Sequence, residues 1–203
     1  MSRWIVVLAG GVGSRFWPLS TPTRPKQFLP LIDESPLLTG TLSRLTPIAD
    51  AAHTLILTNA SLVEGVRALA PDLPAENVIA EPKPAGTAAA LAWAADVIAK
   101  RDGDDAVMIS VHADWAIGNA QGFREALLRA ADVAEHHRTL VTVGVVPARP
   151  DPGFGYIRPG AVVEEGVYAV GEFVEKPDRE RAAVMVRDGY LWNSGIFVWR
   201  VGD

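Results

Sequence analysis

Trp4-Ile5-Val6-Val7-Leu8-Ala9 is an unbroken apolar run of six residues that stops on Gly10-Gly11. A strand with one wet face alternates polar and apolar side chains. A run without alternation reads as a strand buried on both faces. Such a strand needs cover on both sides, so it belongs in a sheet flanked by helices. Residues 54–58, 78–81, 106–111 and 140–146 repeat the signal.

Helical patterns lie between these runs. Residues 61–70 form one. Residues 87–101 form a second, with Thr87 as cap, an alanine-rich body, and Lys100 and Arg101 at the negative dipole end before Gly103. Residues 119–137 form a third, placing Phe123, Ala126, Leu127, Ala130, Val133 and Ala134 on one face. Strands alternating with helices predict an α/β fold: a Rossmann-like, doubly wound, mostly parallel sheet with right-handed crossovers.

From residue 147 the texture changes. The segment 147–160, PARPDPGFGYIRPG, is rich in Pro and Gly and reads as a loop reaching over something. A strand over 167–174, a short helix over 179–187 and a last strand over 195–199 follow. The chain stops directly after that strand, which reads as a cut.

Composition removes several function classes. No apolar run approaches the roughly 18 residues of a membrane span, and the first run is too short for a signal peptide's core. The formal charge of -5 argues against the broad basic surface that nucleic acid needs. With no cysteine there is no disulfide, thiolate metal site or cysteine nucleophile. The expectation is a soluble, cytoplasmic protein with small-molecule substrates. None of the four histidines falls in a catalytic pattern.

The first run leads into LAGGVGSRFWPLSTPTRPKQFLPL, residues 8–31. The dinucleotide fingerprint G-x-G-x-x-G fits Gly11 and Gly13 but meets Phe16 where its last glycine belongs, which disfavours a nicotinamide-dependent oxidoreductase. The G-K-[ST] ending of a Walker loop is absent. Glycines after a buried strand still let backbone N–H groups approach a polyphosphate. Arg15 adds a planar fork of donors and Lys26 a point charge, with Pro25 restricting the backbone beside it.

GGVGSRFWPLS followed by RPKQFLPL resembles the sugar-1-phosphate nucleotidyltransferases, and within them the mannose-1-phosphate guanylyltransferases, also called GDP-mannose pyrophosphorylases. The resemblance continues in register down the chain. It implies a nucleotide-diphospho-sugar transferase fold over 1–203, incomplete at its C-terminus, with a nucleotide-binding part over 1–147 and a sugar-binding part over 148–203. It implies nucleotidyl transfer from GTP to mannose 1-phosphate with release of pyrophosphate. Leu8, Ala9, Gly10, Gly11, Gly13, Ser14, Glu81, Pro82, Gly86 and Thr87 would bind the nucleotide. Arg15, Lys26 and Lys176 would be catalytic, and Asp114, in Val111-His112-Ala113-Asp114, would hold Mg2+. Gly155, Tyr156, Glu175 and Asn193 would bind the sugar.

Some points stay open at this level. Ala85-Gly86 stands where guanylyl enzymes usually carry Arg-Asn, and Gly86-Thr87 resembles uridylyl and thymidylyl relatives, so dTTP or UTP with glucose 1-phosphate remains an alternative. The family's second metal-binding acid falls on a segment beyond residue 203, which leaves a non-catalytic nucleotide-sugar-binding fragment or regulatory pseudoenzyme as another. Oligomeric state, a homo-oligomer included, is not fixed.

Overall fold

The structure is a computed structural model and describes residues 1–11, 13, 16–83 and 85–203. Its elements are β1 (Arg3–Leu8), α1 (Leu37–Leu45), β2 (Thr54–Asn59), α2 (Val63–Leu69), β3 (Val78–Glu81), α3 (Thr87–Asp102), β4 (Val107–His112), α4 (Ala120–His137), β5 (Val141–Val145), β6 (Tyr156–Glu164), β7 (Val167–Val174), α5 (Arg179–Arg187) and β8 (Leu191–Arg200). They divide into two compact units. One is Met1–Val141 with Phe197–Asp203, and the other is Thr142–Ile196. The sequence reading divides its parts at 147 instead, and does not return the last residues to the first part.

In the first unit β3, β2, β1 and β4 pair in that order, all parallel. The α/β class with a mostly parallel sheet is therefore as expected. Ile5, Val6, Val7, Leu55, Ile56, Val107, Met108 and Ile109 are fully buried, which explains why these strands lack alternation. On one face Trp4, Val6, Leu55, Leu57 and Met108 pack against Ala90, Leu91, Ala94, Ala95 and Ile98 of α3. The alanines let that helix lie close to the sheet. The C-terminal residues of β8 run antiparallel beside β4, with Val107 opposite Arg200 and Ile109 opposite Val198.

Strand order places the site. The chain leaves β1 for β2 and β3 on one side, then returns to the other side of β1 as β4. Leu8 lies level with both Leu57 and His112, so the carboxyl ends of these strands open onto one edge. Between β1 and β4 the order reverses, and that is where open α/β sheets take ligands.

Two features of this unit differ from the sequence reading. Thr87 is the first residue of α3 and not its cap; Gly86 caps, at φ 89, without a side-chain bond. Helix α1 has no counterpart in that reading. It buries Leu37, Leu38, Thr41 and Leu45, a short pattern that includes a polar residue.

In the second unit β6 and β7 form an antiparallel hairpin, and β6 also pairs antiparallel with the start of β8, Tyr156 opposite Trp192. Helix α5, capped by Asp178, places Ala182 and Met185 against Tyr156 and Trp192. Here the expected loop is corrected: Tyr156–Glu164 is strand, and Pro159 is accommodated at a shift in register with β7. The last strand likewise begins at Leu191, so Trp192-Asn193-Ser194-Gly195 lies inside it, with Gly195 at φ 77.

Candidate active site

A cleft of about 290 Å³ opens on the strand ends of the first unit. Leu8, Ala9, Gly10, Gly11, Glu81, Gly86, Thr87 and Asp114, all singled out from sequence, line it. So do Gln27, Asn59 and His112, which sequence reasoning did not select. Pro82 follows Glu81 as an exposed bend. Ser14 and Arg15 lie outside the described residues.

The backbone leaving β1 is held from behind. Gln27 Nε2 donates to the Ala9 carbonyl at 2.8 Å, and Thr58 Oγ1 donates to the same oxygen at 3.0 Å. Asn59 Nδ2 donates to the Gly10 carbonyl at 2.7 Å. In a trans peptide the N–H points opposite its carbonyl. Fixing these two carbonyls therefore turns the N–H groups of Gly10 and Gly11 the other way. Gly10 also lies beside a carboxylate: a Cβ there would come 3.2 Å from Glu81 Oε2.

Gly13 has φ 66, and a Cβ on it would meet Lys26 Cβ, Cγ and backbone N, each at 3.1 Å. The glycine thus lies directly on the lysine stem. Its carbonyl accepts from Phe16 N at 2.9 Å and from Ser20 Oγ. Lys26 starts a short 3-10 turn over Lys26–Phe28, and its Nζ stands 5.7 Å from the centroid of the Phe16 ring. The lysine makes an ion pair with Asp114 Oδ2, and both side chains are half-buried.

Asp114 follows β4 and is steadied through its neighbour. Ala113 donates its N–H to the Leu8 carbonyl at 3.1 Å, and its carbonyl accepts from Thr41 Oγ1 of α1 at 3.4 Å. His112 stacks on Trp115, centroids 5.7 Å apart. Burial lowers the His112 pKa below its ordinary value; Lys26 adds to the depression, and Asp114 opposes it. The shift favours the neutral imidazole.

A metal ion here would draw on one carboxylate of the cleft edge. Among the described residues no group of three or more His, Cys, Asp or Glu side chains is placed to hold one. Asp114 is one carboxylate at the cleft edge; magnesium takes one or two carboxylates and completes its shell with phosphate oxygens and water, so a single acid is compatible with it. That Asp114 already carries a cationic partner shows that its position accepts positive charge.

The second unit brings together Gly155, Glu175, Lys176 and Asn193. Asn193 N donates to the Gly155 carbonyl at 2.7 Å. A Cβ on Gly155 would come 2.9 Å from Glu175 Oε2 and 3.5 Å from Asn193 Cβ. Lys176, at φ 42, turns its Nζ back to Glu175 Oε1 at 2.7 Å. The Asn193 Oδ1 atom accepts from Gly195 N at 3.2 Å and lies 3.1 Å from Thr142 Oγ1, whose single proton is shared with the Ile196 carbonyl at 3.0 Å; the amide NH2 is the donor of this side chain. The Tyr156 ring is fully buried, and its hydroxyl donates to the Asp151 carbonyl at 3.1 Å and accepts from Asp151 N at 3.0 Å. Only its backbone can serve a ligand. No helix among the described residues is long and apolar enough to cross a membrane.

Comparison with known proteins identifies the family. A mannose-1-phosphate guanylyltransferase of Sinorhizobium fredii (strain NBRC 101917 / NGR234) is 39% identical over 202 residues, covering 97% of this chain and 39% of that protein. One of Escherichia coli is 40% identical over 203 residues, covering 96% of this chain and 42% of its own length. The chain thus spans about two fifths of the curated relatives it matches. A crystal structure from Thermus thermophilus, described as a mannose-1-phosphate geranyltransferase, superposes with a TM-score of 0.89 at 34% identity, covering 99% of this chain and 58% of that one. Residues 5–203 match the family described as nucleotidyl transferase, and the chain belongs to that family.

Proposed function

We propose that this chain carries the substrate sites of a mannose-1-phosphate guanylyltransferase. An oxygen of the sugar phosphate attacks the α-phosphorus of GTP. The new P–O bond forms as the bond from the α-phosphorus to the bridging oxygen breaks. Pyrophosphate leaves with the electron pair, and GDP-mannose remains. The attacking phosphate is ionised at neutral pH, so neither a protein nucleophile nor a general base is needed. The protein's contribution is alignment and charge neutralisation.

The observation that carries this reading is the glycine-lined cleft at the β1/β4 reversal, with Lys26 and Asp114 at its edge. The N–H groups of Gly10 and Gly11, with Lys26 and Arg15, would hold the triphosphate. Glu81 would accept from N1–H and the exocyclic amine of guanine, adjacent donors that uracil and thymine do not offer as a pair. Asp114 would hold Mg2+, which when bound supplies positive charge to the phosphate oxygens. In the second unit Lys176 would take the sugar phosphate, and Glu175, the Asn193 amide and backbone at Gly155 and Tyr156 would take sugar hydroxyls.

The test is pyrophosphate release with mannose 1-phosphate, magnesium and each of GTP, dTTP, UTP, ATP and CTP. GTP is expected to be preferred, and Lys26→Ala and Arg15→Ala each to lose about 10²–10³ in turnover. Wild-type rates in both variants would remove the mechanism. Preference for UTP or dTTP would move the base assignment to the Gly86-Thr87 alternative. The same five nucleotides in a thermal-shift series identify a chain that binds without turning over.

A further inference from the structure

The Lys26–Asp114 ion pair joins two groups to which the reading above gives different ligands: a triphosphate for the lysine and a cation for the aspartate. Resting on that reading, we propose that Lys26 acts as a resident counter-cation that keeps divalent metal off Asp114 until a polyphosphate draws the lysine away. Metal and nucleotide then bind cooperatively, and neither binds well alone.

Neither partner is loosely held. The Lys26 stem lies against Gly13, and its Nζ faces the Phe16 ring. The residue before Asp114 is anchored to Leu8 and Thr41. The side chains are 27% and 20% exposed, so water screens the pair incompletely. A divalent cation arriving alone must expel an ammonium from its carboxylate or stand beside a like charge. A triphosphate arriving alone must detach the lysine and leave Asp114 facing more negative charge. Arriving together, the phosphates take the lysine and the metal takes the aspartate, so no charge is left without a partner. By linkage, each ligand raises the affinity for the other by the same factor.

Removing a cation from the phosphate site should therefore improve metal binding. The experiment titrates the protein, without nucleotide, with Mn2+ and follows free Mn2+ by electron paramagnetic resonance. Lys26→Met is expected to bind Mn2+ roughly 5- to 150-fold more tightly than wild type, the usual span of a coupling between sites. Lys26→Arg, which keeps the charge, is expected to show no gain. Adding Asp114→Asn to Lys26→Met is expected to abolish the gain, which separates this site from adventitious acidic ones. Lys26→Gln replaces Lys26→Met if thermal unfolding shows that variant to be misfolded.

Equal or weaker Mn2+ binding by the uncharged variant overturns the proposal. A second arm measures thermal shift of the wild type with a non-hydrolysable GTP analogue and magnesium. A shift there without a metal gain in the variant overturns the counter-cation and leaves the nucleotide site standing. A metal gain with no shift from the GTP analogue or from any of the five nucleotides of the thermal-shift series above overturns the functional reading, and with it the role assigned to the polyphosphate.

Discussion

The side chain of Gln27 reaches across from the turn after Pro25 and donates to the carbonyl of Ala9 at 2.8 Å, with Gln27 only 2% exposed. This one bond ties the segment carrying Lys26 to the backbone leaving β1. Thr58 Oγ1 shares the same acceptor. Gln27→Ala therefore leaves Ala9 paired and loses one hydrogen bond and some packing, about 1–2 kcal/mol. Gln27→Glu turns a buried carboxylate oxygen toward a carbonyl oxygen and should cost more than the alanine. Urea denaturation of both variants checks the order; a glutamate variant as stable as the alanine would contradict the buried contact.

Gly11 and Gly13 make opposite demands. A Cβ on Gly11 meets nothing within 4 Å, and its backbone is not left-handed. A Cβ on Gly13 strikes the Lys26 stem at φ 66. Gly11→Ala should thus change stability by no more than about 0.5 kcal/mol yet exclude a triphosphate from the cleft wall. Gly13→Ala should lose both stability, about 1–2 kcal/mol from left-handed strain, and nucleotide binding. Denaturation midpoints and nucleotide-induced thermal shifts, measured side by side, separate the two. A Gly11→Ala protein that binds GTP as well as wild type would mean that phosphate does not approach that backbone.

The sheet was legible because burial on both faces writes itself into β1, β2 and β4 as runs without alternation. Helix α1 was not, since Gly40 interrupts nine residues whose buried face includes Thr41, and no long period develops. Strand β6 was hidden by Pro159 and Gly160, ordinary turn residues that a shift in register absorbs. Gly195 disguised the start of β8 in the same way. In the site, glycines and the acid after β4 announce themselves by position. Gln27 and Asn59 do not, because each serves a carbonyl far away in sequence and only the folded chain shows the pairing.

Asn193 accepts from Gly195 N through its carbonyl oxygen, so its NH2 is the group that the proposed sugar site would use. Asn193→Asp retains an acceptor for Gly195 N and for the Thr142 hydroxyl it shares with Ile196, while removing the proposed ligand donor and adding negative charge. Stability is therefore expected to stay within about 1 kcal/mol of wild type, and KM for the sugar phosphate to rise at least roughly tenfold, the equivalent of one lost charge-sensitive contact. Asn193→Ala should lose stability as well. Steady-state kinetics in the sugar phosphate, paired with denaturation, reads both. An unchanged KM in the aspartate variant would take Asn193 out of the sugar site.

Asp151 gives a pH dependence with a definite sign. Its carboxylate accepts from Gly153 N at 2.9 Å and from Arg149 Nη2 at 2.6 Å, and these, the Gly153 bond first, lower its pKa from the ordinary 3.8. The unfolded chain takes up this proton at a higher pH than the folded one. The stability contributed is thus fully present above about 3.8 and is lost as pH falls through the lower folded value. Its partner Arg149 is 64% exposed, so salt should shrink that part of the effect. In Asp151→Asn that part of the acid slope should vanish, while behaviour above pH 5 stays parallel to wild type. Urea midpoints taken every half unit from pH 3 to pH 6, at low and high salt, provide the measurement. An unaltered acid slope in the asparagine variant would show that the carboxylate does not hold the turn leading to Gly155.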